Sequence, residues 1–204
     1  SDSCSTIAGG EGNTASANDS TVGGGENNTT SGSGATVSGG QDNIASLDYS
    51  TIGGGKSNTA EGWASTVAGG DSNTVTWWST TIGGGTGNSV LTGAGTIGGG
   101  VTNTVTIDAW AGTIGGGTGN TVADWAGTVG GGSGNSAING SSTVAGGESN
   151  AASGDNSTIS GGKDNTVTRW ATTIGGGAGN SVLAGTGTIG GGLTNTVTID
   201  AWSA

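Results

Sequence analysis

Thr96-Ile97-Gly98-Gly99-Gly100-Val101-Thr102-Asn103-Thr104-Val105-Thr106 is one copy of a unit that returns every 15 residues along the chain. Thirteen copies can be laid in register, the first starting at Ser5 and the last at Gly187. In each, the second residue is Thr, the third Ile or Val, the fifth and sixth Gly, and the ninth Asn. A fixed period of this length is the mark of a solenoid, in which every turn packs on its neighbours alone. The expected fold is therefore an all-β parallel β-solenoid of about 13 coils, with residues 1–204 forming a single repeat domain.

Each coil holds two near-copies of a half-turn, one reading Ser/Gly-Thr-Ile/Val and the other Asn-Thr-Val/Ala. Both read as short strands. Strand side chains alternate between faces, so Ile/Val at the third and Val/Ala at the eleventh position point inward and the preceding Thr points out. The predicted roll is thin, with two strands facing each other. The Gly pair turns the chain, because Gly accepts positive φ without steric cost, and the last residues of the coil turn it back. Two coils, Gly95–Ala111 and Gly187–Ser203, carry two extra residues within a shared Thr-Ile-Asp-Ala-Trp segment. Ser65–Trp110 and Ser157–Trp202 agree at 36 of 46 positions, so a three-coil block has been duplicated.

Composition sets limits on function. Across 204 residues there are 50 Gly, one Cys and no Pro, Met, Phe or His. Such a chain would read as disordered, were its few aliphatic residues not locked to fixed repeat positions. Fourteen acids against Lys56, Lys163 and Arg169 give a net charge of -11, which repels a phosphate backbone and argues against nucleic acid. There is no apolar run long enough for a membrane helix. Residues 1–20 lack the regions of a signal peptide, so any export signal is expected outside this sequence. With no His, a lone Cys4 and lysines only at turn tips, most acid–base and nucleophilic constellations cannot be assembled, and no enzyme activity is expected. The Gly-rich strings lack the Lys-Ser/Thr ending of a phosphate loop. They also lack the Asp of calcium-binding rolls, as Gly84-Gly85-Thr86-Gly87-Asn88 illustrates. No cofactor or metal is expected.

Three features bear on binding. Asn at the ninth position, stacked coil on coil, reads as a structural column whose amides donate and accept along the axis. Trp63, Trp78, Trp110, Trp125, Trp170 and Trp202 each stand two residues before the next coil, with Trp77 beside one of them. They fall on one edge, either as a lid on the second turn or a contact with a neighbouring chain, or as an aromatic strip for sugar rings or another flat ligand. Finally, after Asp2, every charged residue lies at the seventh or eighth position or in the second turn, so the strands carry none. On the first strand the outward residues are always Thr and then Gly, Ala or Ser. Nothing inside the roll is expected to demand that restriction, so this narrow face, with Thr66, Thr96, Thr113 and Thr128 on it, reads as the contact between identical chains. Open ends of the roll invite pairing, which implies a longer fibre or end-to-end stacking.

Strings such as Ser20-Thr21-Val22-Gly23-Gly24-Gly25-Glu26-Asn27-Asn28-Thr29-Thr30-Ser31-Gly32 resemble the head repeats of YadA-like trimeric autotransporter adhesins, over essentially the whole chain. Related repeats occur in phage tail fibres. The resemblance implies a left-handed β-roll, a homotrimer, an extracellular, cell-surface or virion-surface location, and attachment to host or matrix surfaces through a glycan or matrix ligand. Those heads read Ser-x-Ala-Ile-Gly in a slightly shorter unit, whereas Gly, Ala or Ser replaces that Ile here. Asn165-Thr166-Val167 also resembles the half-turns of the ice-binding β-rolls of grasses, which implies a monomer using flat Thr ranks. On the second strand, Glu61, Leu91, Ile138 and Leu183 interrupt those ranks, so the adhesive fibre is the leading expectation and the ice-binding roll the alternative.

Overall fold

The computed structural model describes residues 4–198 and divides into two compact units, Ser1–Thr102 and Asn103–Ala204. Each is a stack of parallel β-coils, and no helix occurs among the described residues. The strands are only two residues long, from β1 (Thr6–Ile7) and β2 (Thr14–Ala15) to β25 (Thr188–Ile189) and β26 (Thr196–Val197). In the first unit one ladder runs through the Thr-Ile/Val strands, with Thr51 paired to Thr66 and Ile52 to Val67. A second runs through the strands after Asn, with Thr59 paired to Thr74. The second unit repeats the plan, with Thr128 paired to Thr143 and Thr166 to Ser181.

Like residues meet like because the period is constant, and a slip of one residue would turn every core side chain to solvent. Ile52, Val67, Ile82 and Ile97 from the first ladder are fully buried, as are Ala60, Val75 and Val90 from the second. The residue opening each coil also points inward. Ser50, Ser65 and Thr80 are buried, and their hydroxyls donate to the carbonyls of Leu47, Gly62 and Trp77 at 2.6, 2.7 and 2.8 Å. These bonds close the second turn upon itself. Thr30 takes a core position that elsewhere holds Val or Ala, and its buried hydroxyl has no partner.

The two-walled cross-section expected from the sequence needs correction. The seventh residue of each coil forms a third, single-residue ladder, as in Gln41, Lys56 and Asp71 in the first unit and Glu148 and Lys163 in the second. Lys56 donates its N–H to Gly70 at 2.9 Å and accepts from Ser72 at 2.9 Å. The residue after it turns the corner in the left-handed region, with φ of 56° at Asp42 and 52° at Ser57. The charged side chains of this ladder face solvent, and Lys163 reaches Glu148 across one rung at 2.8 Å. That hydrogen bond, with the charge of Glu148 behind it, raises the Lys163 pKa above its ordinary value.

The insertion in the second unit leaves the ladders in register, with Thr104 paired to Thr121 and Val105 to Val122. Its extra residues swell the turn instead: Ala109 tucks inside, Ile107 lies out, and the Gly112 N–H returns to the Ala109 carbonyl at 2.8 Å. The corresponding insertion near the end of the sequence lies outside the described residues.

Candidate functional site: the tryptophan edge and the threonine face

The tryptophans stand on the second turn, whose backbone is tied coil to coil. Ser79 donates to the Trp63 carbonyl at 2.9 Å, Ala126 to that of Trp110 at 2.8 Å and Ser141 to that of Trp125 at 2.7 Å. The donor occupies the last position of its coil with left-handed φ: 54° at Ser79, 53° at Ala126 and 54° at Ser141. With the backbone used this way, the indoles project outward. Trp125 is 65% exposed, Trp63 51% and Trp78 38%, and Trp77, Trp110 and Trp170 lie within the same span. Trp202 lies outside the described residues.

Two tryptophans also serve packing. Trp63 meets the ring of Tyr49, edge to face, with centroids 6.1 Å apart and planes at 87°. Trp170 lies over Gly185 of the following coil, its Nε1 3.3 Å from where a Cβ at that glycine would stand. Thus Trp63 and Trp170 each pack on a neighbour while remaining more than half exposed.

In the first unit the edge is indented. Leu47, Gly62 and Trp77 occupy the same repeat position in three successive coils. A Cβ at Gly62 would collide with the Trp77 carbonyl, so the middle residue bears no side chain. The gap is an open hollow of about 320 Å³ lined by Leu47, Gly62, Trp63, Thr76, Trp77 and Trp78. Sequence reading picked out the three tryptophans but missed Leu47 and Gly62. The signal lay in the alignment, where glycine falls between two large apolar residues.

The first-strand face is as regular as expected. Thr51 pairs with Thr66, Thr81 with Thr96, and Thr113 with Thr128, all with side chains turned away from the core. Thr96 and Thr113 are exposed, and Thr66 and Thr128 half-buried by their neighbours. Some glycines of this face have a cause inside the roll, which the sequence does not display. A Cβ at Gly53, Gly83 or Gly130 would strike the carbonyl of the residue one coil on, so packing within the roll itself demands glycine there. Ser38, Ala68 and Ala145 carry a Cβ at the same repeat position, so this packing accounts for particular glycines and not for the whole restriction to small residues. What the roll leaves unexplained is the uncharged rank of Thr within each unit.

The Asn column does structural work. Asn58 Nδ2 donates to the carbonyls of Gly54 and Gly70 at 3.0 and 2.9 Å, and its Oδ1 accepts the Asn73 N–H at 3.0 Å. Each amide thus pins two glycine turns and the next asparagine. Among the described residues, no three His, Cys, Asp or Glu side chains gather where a metal ion would sit. The chain matches no family model, and no curated protein matches it.

Proposed function

We propose that this chain is an extracellular fibrous binding module, an adhesin head or fibre segment that attaches to a surface through the tryptophan edge. Three identical chains lie side by side through their threonine faces in this reading. The observation that carries it is the outward placement of every described indole on the second turn of its own coil. Large aromatic side chains held at this exposure mark a recognition surface in soluble proteins, because an indole contributes wide apolar area at little conformational cost. The net charge of -11 keeps such a module from sticking to phosphate polymers.

Attachment to glycan- or matrix-coated surfaces should vanish when Trp63, Trp78, Trp110 and Trp125 are all replaced by Ser, while the far-UV β signature stays. Undiminished binding by a well-folded variant would end this reading. Molar mass from light scattering tests the trimer. Replacing Thr66, Thr96 and Thr128 with Lys would bring like charges from three chains into one seam, at a cost of several kcal/mol, and dissociate it.

One observation favours a second reading, ice binding by a monomer. Within the first unit the Thr rank of the first strand is in register and stands open in the single chain, as at Thr81 and Thr96. Rungs repeat at about 4.8 Å along a parallel sheet, giving evenly spaced hydroxyls and methyls. A monomeric protein that depresses ice growth, and loses this with the triple Lys change, would put that reading first.

A further inference from the structure

We propose that the hollow over Gly62 binds a quaternary ammonium group, a trimethylated nitrogen of the kind choline carries. The hollow is built into the roll, since the backbone of Trp77 excludes any side chain at residue 62. Leu47 and Trp77 wall it on either side, Trp63 and Trp78 flank it, and Thr76 brings its one hydroxyl side chain. Tyr49, packed edge-on against Trp63, holds that indole in place.

The chemistry of the walls selects the occupant. A primary ammonium entering the carbon-lined hollow would turn N–H donors toward walls that accept few hydrogen bonds, which is costly. A trimethylammonium has no N–H to satisfy, spreads its charge over methyl groups, and is drawn to the faces of indole rings. Charge points the same way. Asp48 follows Leu47 and Glu61 precedes Gly62, both exposed, and Asp48 is fixed by accepting the Ser33 N–H at 2.8 Å. Lys56, the cation of this unit, stands on the third ladder, away from the second turn. The field at the hollow therefore attracts cations and repels anions.

The assignment rests on the tryptophan edge being the binding edge, and the test separates the two. The full chain is titrated with choline chloride, tetramethylammonium chloride, and the uncharged isostere of choline in which tert-butyl replaces trimethylammonium. Binding is read from the indole N–H resonances. Saturable shifts confined to Trp63, Trp77 and Trp78 are expected, with the isostere weaker by about tenfold. Trp63→Leu keeps an apolar wall but loses the ring, and should weaken choline binding about five- to tenfold. Glu61→Gln should weaken it less and flatten its salt dependence. Thr86→Ala, on the third ladder of the same unit, should change nothing. Equal affinity for the isostere, displacement of choline by a neutral oligosaccharide such as maltohexaose, or no titration by choline would each overturn the ligand class. Surface attachment lost in the four-Trp variant would still support the edge in that event, whereas choline binding without any attachment would remove the attachment reading instead. Sedimentation with phosphatidylcholine but not phosphatidylglycerol vesicles would identify a lipid headgroup as the carrier, and choline binding without vesicle binding a non-lipid one.

Discussion

Replacing Asn58 by Ala tests whether the buried amide column, more than the aliphatic core, holds neighbouring coils together. The side chain is fully buried, and the change removes every bond its amide makes. Some partners keep a second bond: the Gly70 carbonyl retains the Lys56 N–H at 2.9 Å, and Asn43 Oδ1 retains the Asn58 N–H at 3.0 Å. Two do not. The Gly54 carbonyl loses its amide donor, and the N–H of buried Asn73 loses the acceptor that stood 3.0 Å away. A buried N–H stripped of its acceptor costs about 1–3 kcal/mol. Gly54, which is half-exposed, recovers part of its loss from water. The sum is about 3 kcal/mol. Urea unfolding followed by far-UV circular dichroism should show this loss. Repeat arrays can unfold in parts, so hydrogen exchange at the Asn73 amide is the local readout, with protection falling about a hundredfold. Thr59→Ala, next door but facing outward, should stay within about 0.5 kcal/mol. If Asn58→Ala costs less than about 1 kcal/mol and the Asn73 amide stays protected, the column is decorative and the reasoning fails.

Two glycines of the first turn, from successive coils, should respond differently. Gly55→Ala places a Cβ against the Gly70 carbonyl at φ of 91°, and should cost at least about 2 kcal/mol. Gly69→Ala, where a Cβ would meet only the Gly54 oxygen at an ordinary 3.8 Å, should be neutral or stabilising by up to about 1 kcal/mol in the same unfolding assay. Ala126 holds φ of 53°, so Ala126→Gly should relieve strain and raise stability by about 0.5–1 kcal/mol; a lowered melting temperature would contradict it.

The ladders were legible because they depend on quantities a sequence displays directly. Thr before Ile or Val marks a strand with one face in, and a constant spacing makes Thr51 fall on Thr66. The Asn column was legible for the same reason. The third ladder was not, because its positions hold Gln41, Lys56, Asp71 and Ala178, which share no side-chain character. Backbone geometry alone defines it. The left-handed corners were hidden as well, since Tyr49, Ala64 and Ala171 occupy them and none advertises positive φ. Glycine misled in the other direction: at Gly53 and Gly83 it answers a neighbouring carbonyl, where sequence reasoning saw room for another chain. As for the candidate site, the tryptophans were visible as outliers in a chain poor in aromatics. The hollow between them needed three coils to be superposed before Gly62 acquired meaning.

The in-register pairing of Thr with Thr and Asn with Asn also governs how a gene for this chain can change. Adding or deleting one complete repeat creates junctions indistinguishable from existing ones, so recombination between copies yields a foldable product. A frame-preserving change of one codon inside a strand instead turns the core to water from that point until the turn. Replication slippage is thus filtered into steps of one coil, and the duplicated block at Ser157–Trp202 is such a step taken three coils at a time. The swollen turn at Thr106–Trp110 marks where selection tolerates an irregular increment, because its two surplus residues are absorbed without disturbing the pairing of Val105 with Val122. Chain length becomes a heritable variable that mutation can tune while the cross-section stays constant.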